Sequence, residues 1–119
     1  YQSTKIFDGF SCCFRQWKAE TTHCRFLHGY GVSFKVTFAG ELDHRNWVWD
    51  FGGMKRATTL IDGMQPKAWM DWMFDHTVKF AEFIFHKLNN FVKTETNDRV
   101  NITQVEFMEH GKNTAIYSE

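Results

Sequence analysis

Four groups in this chain have side chains that could do chemistry, and their spacing suggests what kind. Cys24 stands four residues before His28-Gly29-Tyr30. A thiol reacts only as its thiolate, so a working cysteine needs a neighbour that lowers its pKa or takes its proton. Asp75-His76 sets a carboxylate beside an imidazole. A carboxylate bonded to one ring nitrogen fixes the tautomer and raises the basicity of the other. Glu109 ends an alternating segment, where one carboxylate can accept two parallel N–H bonds from a flat donor edge. Taken singly, each is more often a packing, capping or solvated residue. Cys12 and Cys13 have no such neighbours and read as packing residues.

The elements that must position these groups follow from periodicity. Val32, Phe34, Val36 and Phe38 alternate with Ser33, Lys35, Thr37 and Ala39, the two-residue period of a half-buried strand. Residues 5–17 are also strand-like, with Phe10, Cys12 and Phe14 on one face, and residues 19–23 are turn-like. The two segments predict a long antiparallel hairpin. Trp47-Val48-Trp49 reads as a short extended piece. Met54, Ala57 and Ile61 predict a helix that Gly63 stops. Pro66 fits the first turn of a second short helix carrying Trp69, Met70 and Met73. A third helix is expected over 78–92, with Phe80, Phe83, Ile84, Leu88 and Phe91 on its apolar face. Residues 94–99 read as a polar connection. Residues 99–108 return to alternation, and a turn at Gly111-Lys112-Asn113 leads to a last strand over 114–117. The order predicts one α+β domain over 1–119: a four-stranded antiparallel sheet with helices on one face.

Composition narrows the function. Fourteen Lys plus Arg balance fourteen Asp plus Glu, which argues against a surface that wraps nucleic acid. No apolar run approaches the roughly 18–20 residues of a membrane span. No charged-then-apolar leader opens the chain. Three cysteines without zinc-finger spacing read as free thiols in a reducing compartment. A cytoplasmic protein is expected. Thirteen Phe, five Trp and three Tyr are more rings than one small core can fully bury, so some should line a pocket or a subunit interface.

Cys24 with His28-Gly29-Tyr30, then Gly40-Glu41-Leu42-Asp43, then Asp50-Phe51-Gly52-Gly53-Met54-Lys55, resemble in order the motifs of the 6-pyruvoyl- and 6-carboxy-tetrahydropterin synthases. Phe74-Asp75-His76 resembles that family's Leu-Asp-His element. Val105-Glu106-Phe107-Met108-Glu109-His110 with Asn113 and Ala115-Ile116-Tyr117 resembles its C-terminal hairpin. The resemblance covers nearly the whole chain. It implies the tunnelling fold, in which trimers close their sheets into a barrel and two trimers stack into a hexamer. It implies a lyase acting on 7,8-dihydroneopterin triphosphate. The Cys24 spacing is that of the 6-carboxy branch, which feeds 7-deazaguanine (queuosine) biosynthesis; the 6-pyruvoyl branch is the neighbouring choice. Cys24, Asp75 and His76 would then be the proton-abstracting relay, and Glu109 would grip the pterin.

Two departures stand out. The family holds zinc with three histidines, one in a Phe-Ser-x-x-His-Arg context and two in His-Gly-His. Here the first element reads Phe10-Ser11-Cys12-Cys13-Phe14-Arg15, so Phe14 stands at one ligand position and Tyr30 at another. Only His28 remains, and a catalytic zinc takes about three protein ligands. Zinc is therefore doubtful, and Tyr30 is expected to donate a hydrogen bond to substrate instead. The second departure is length. Asp75-His76 runs almost directly into the helical residues from Lys79, so a discontinuity is expected between His76 and Lys79. The competing reading is a non-catalytic pterin- or purine-binding homologue that keeps Glu109 and has lost the zinc chemistry.

Overall fold

A computed structural model describes residues 1–14, 28–64, 77–109 and 113–119. Four strands form one antiparallel sheet in sequence order: β1 (Gln2–Phe14), β2 (His28–Gly40), β3 (Val100–Glu109) and β4 (Asn113–Ser118). Between β2 and β3 the chain forms α1 (Phe51–Met64) and α2 (Thr77–Glu95). This is the expected α+β architecture.

Strand alternation divides the sheet as the sequence predicts. Val32, Phe34, Val36 and Phe38 of β2 are buried, as are Val105 and Phe107 of β3. Each is registered opposite a partner on the same face: Phe34 with Phe107 and Val36 with Val105. Against that face α2 lays Phe80, Ala81, Ile84, Phe85, Leu88 and Val92, all at most 1% exposed. The buried stripe is thus centred on 81, 85, 88 and 92, and Phe83 and Phe91 lie at its half-buried margins. Phe80 locks the two layers, with its ring centroid 4.7 Å from Phe107 and 5.7 Å from Phe34. Such ring pairs contribute about 0.5–1.5 kcal/mol each beyond the area they bury.

Two bulges set the register. Phe7 faces Phe34 but Phe10 faces Val32, so Asp8 and Gly9 together oppose one β2 residue. That extra residue brings Phe10, Cys12 and Phe14 into the phase of Phe7. In β3, Thr103 is the extra residue between the pairs Phe38–Ile102 and Thr37–Gln104. A bulge strands backbone groups that need partners. The N–H of Ile102 donates to Asn89 Oδ1 at 2.8 Å, and the Thr103 carbonyl accepts the N–H of Glu119 at 3.1 Å.

Several expectations are corrected. Helix α1 is described to Met64, one residue past the Gly63 at which its end is expected. Trp47-Val48-Trp49 is not a strand. The Asp43 carboxylate accepts the N–H groups of Arg45 and Trp47, and Asn46 takes φ 64°, so the segment closes into a turn that buries Val48 and Trp49. Helix α2 runs to Glu95, and Asn97 and Asp98 in the left-handed region end it. The junction at His76, where a discontinuity is expected, lies outside the described residues, and α2 is described from Thr77. The short helix expected after Pro66 lies outside the described residues.

Candidate functional site

Register gathers the candidate residues of β1, β2 and β3 at one end of the sheet. Glu109, the last residue of β3, pairs with Val32 of β2 on one side and Asn113 of β4 on the other. Beyond Val32, residues 28–31 of β2 are registered with β1 and, among the described residues, with no third strand. The two strands therefore continue past Glu109 as a ribbon. In it Cys12 faces Tyr30, and Phe14 faces His28. Tyr30 and His28 share the alternation phase of Val32, and so of Glu109, which is the phase of the helix-covered side. Glu109 is half-buried, and its Oε1 is closed off from solvent. A carboxylate in such a place can take two N–H donors from a planar ring edge with little competition from water.

Cys24, Asp75 and His76 lie outside the described residues. The site the structure assembles is thus Glu109 with the ribbon positions of Tyr30, His28, Phe14 and Cys12. Asn113 joins it as the cross-strand neighbour of Glu109. In the sequence Asn113 reads as a turn residue and as part of the hairpin resemblance; its place opposite Glu109 depends on how β4 pairs.

The ribbon is also where the family's zinc would sit, and the donor set can be tested. Among the described residues no three His, Cys, Asp or Glu side chains come together as a metal site. At the three positions in question the register brings a benzene ring type, an imidazole and a phenol to neighbouring places. One imidazole does not make a zinc site, so no chemical step here is routed through the metal.

The motifs Gly40-Glu41-Leu42-Asp43 and Asp50-Phe51 sit at the other end of the sheet and do structural work. Asp50 caps α1: its Oδ1 accepts the Gly53 N–H at 2.5 Å. That bond holds the Asp50 carboxyl below the usual carboxylate range, aided by the Arg45 guanidinium. Burial pushes the Asp43 carboxyl up, but the N–H groups of Trp47 and Arg45 and the Arg45 guanidinium outweigh it and hold it at about 2. Arg45 bridges Asp43 at 3.0 Å and Asp50 at 3.4 Å, and its guanidinium lies 4.1 Å from the Trp47 ring centroid. Arg56 of α1 forks onto Glu95 of α2 at 3.0 and 2.9 Å. Arg99 donates to the carbonyls of Glu41 and Val48. These groups line a cleft of about 480 Å³, in which each arginine is already engaged by the chain itself. Local pattern gave no sign of Arg99, whose carbonyl partners lie 58 and 51 residues away.

Comparison with known proteins agrees with this architecture. No curated protein sequence matches the chain. Among solved structures it is similar to the 6-pyruvoyl tetrahydropterin synthase of Caenorhabditis elegans, with a TM-score of 0.76 and 19% identity over 100% of this chain and 95% of that one. It is also similar to the synthases of Plasmodium falciparum (TM-score 0.67, 12% identity, 99% and 98% covered) and Plasmodium vivax (0.66, 13%, 100% and 98%). At these identities the likeness speaks to fold alone. The family model for 6-pyruvoyl tetrahydropterin synthase matches residues 4–119, nearly the full length, and the chain belongs to that family.

Proposed function

We propose that the chain binds a pterin at the ribbon end of its sheet and acts as a carbon–oxygen lyase on 7,8-dihydroneopterin triphosphate. The 6-carboxy branch, toward 7-deazaguanine and queuosine, is favoured over the 6-pyruvoyl branch by the spacing from Cys24 to His28. The observation that carries the reading is Glu109. It is a half-buried strand-end carboxylate, in phase with Tyr30 and His28 and beside a ribbon that no third strand joins among the described residues. In this reading Glu109 accepts two N–H bonds from the aminopyrimidine edge and fixes the ring. Cys24, as thiolate, takes the proton from the side-chain carbon, with His76 oriented by Asp75 as its relay. The Tyr30 phenol donates to the oxygen on which charge develops.

A two-stranded ribbon is marginal by itself, and among the described residues β1 and β4 are the edge strands of the sheet. Both features support assembly of three sheets into a barrel and of two such rings into a homohexamer. A cytoplasmic location belongs to the same reading; among the described residues no helix is long and apolar enough to cross a membrane.

A second reading has its own observation. Phe14 and Tyr30 at the ligand positions favour a pterin- or purine-binding homologue without turnover. Incubation with 7,8-dihydroneopterin triphosphate and mass analysis of the products separates the two. The lyase reading expects a tetrahydropterin product that disappears in Cys24→Ala. Tight pterin binding with no product in the unaltered protein would leave the binder.

A further inference from the structure

We infer that the β1–β2 ribbon of this chain does not hold a zinc ion, and that ring recognition beside it is metal-independent. The second half rests on the pterin reading above; the first does not.

The inference comes from geometry and donor chemistry. The three ligand positions that the family resemblance implies fall, in this register, at residues i and i+2 of β2 and at the β1 residue directly opposite one of them. Those three share a face, with directly opposed Cβ atoms about 4.5–5.5 Å apart and alternate residues about 7 Å apart. Three side chains at such spacings can converge on one ion at about 2.0–2.3 Å. In this chain the three positions are His28, Tyr30 and Phe14, because Phe14 pairs with His28. Phe14 has no donor atom. Tyr30 binds metal well only as phenolate, and an ordinary phenol keeps its proton to about pH 10. That leaves one imidazole.

Moving one pair along the ribbon does not repair the site. Cys12 faces Tyr30 and is in phase with His28, but diagonal neighbours are about 7–8 Å apart. A thiolate and an imidazole make two ligands, short of the three or four from which zinc sites draw their affinity. Cys13 is registered with Gly29 and is out of phase with all of these. The three positions retain the geometry of a metal face without its donors.

The test is a gain of metal. Elemental analysis of the unaltered protein, purified without added metal, should find far less than one zinc per chain. The double variant Phe14→His, Tyr30→His puts imidazoles at all three positions and should rise to about one zinc per chain. Loss of that zinc on adding His28→Ala would place the ion on the ribbon. Stoichiometric zinc in the unaltered protein overturns the inference, whichever residues hold it. A folded double variant, judged by an unchanged far-UV spectrum, that gains no zinc overturns the geometric argument. If the double variant does not fold, Phe14→His with Tyr30→Cys supplies three donors at the same positions, and about one zinc per folded chain supports the geometry while none contradicts it. Pterin affinity measured with and without chelator tests the second half. Equal affinities support metal independence, and affinity lost to chelator overturns it. No pterin binding under either condition would sink the pterin reading and leave the zinc result standing.

Discussion

The two ends of the sheet are built for different tasks. At the far end Arg45 spans Asp43 and Asp50, Arg56 forks onto Glu95, and Arg99 ties two carbonyls of the 41–50 segment. Charge is matched by charge inside the chain, and the pairs brace the start of α1 against the end of α2. At the ribbon end Glu109 is a half-buried carboxylate closing β3, with Val32 and Asn113 as its cross-strand neighbours. The most legible motif residues lie at the first end and the candidate binding group at the second. A motif can therefore mark a family strongly and still be a helix cap and a turn. The charges at the first end brace the fold, and the second end carries the residues proposed to meet a ligand.

If that division holds, substitutions at the two ends should separate stability from binding. The largest stability effect is expected at Gly53, where a Cβ would meet the Trp49 indole. Gly53→Ala should cost about 1–3 kcal/mol by overpacking, read as a lower Tm, with pterin affinity of the folded protein unchanged. A Tm equal to that of the unaltered protein would mean that Trp49 is free to move aside. Asp50→Ala removes the α1 cap and should cost about 0.5–2 kcal/mol in urea unfolding. Asp50→Asn should recover most of it, since asparagine caps as well; equal losses from both would assign the effect to Arg45 rather than to the cap.

The smallest effect is a pH dependence at the far end. The Asp43 carboxyl is depressed in the folded protein to about 2. A carboxyl depressed on folding contributes stability that is complete above its unfolded pKa and is lost as pH falls through the folded one. For Asp43 the window runs from about 4 to about 2. Asp43→Asn should flatten the Tm–pH curve in that window and lower Tm by a pH-independent amount above about pH 5. An unchanged acid limb would show that other carboxyls carry the transition.

Much of the fold was legible because alternation and helical period are direct signatures of which face is buried. Val32 to Phe38 and the Phe80, Ile84 and Leu88 stripe are examples. Glu109 was legible as the end of such a run. Other features were not, because they depend on distant partners. The bulges at Asp8-Gly9 and Thr103 follow from how strands match across the sheet, not from either strand alone. Trp47-Val48-Trp49 looked extended because its apolar pattern is short, whereas the Asp43 side chain diverts its backbone into a turn. The ladder across β1 and β2 adds what residue order could not: Phe14 stands directly opposite His28. Cys24, Asp75 and His76 lie outside the described residues, and their roles rest on the resemblance.

The measurement closest to the central claim is a pterin titration read by quenching of the chain's tryptophans, comparing the unaltered protein, Glu109→Ala and Asp50→Ala. Removing a charged, two-point hydrogen-bond partner costs about 1.5–3 kcal/mol, so Glu109→Ala should bind 7,8-dihydroneopterin at least about tenfold more weakly. Asp50→Ala, altered at the far end, should keep its affinity while losing stability. Equal affinities for the unaltered protein and Glu109→Ala would contradict the assignment of the ribbon end as the binding site.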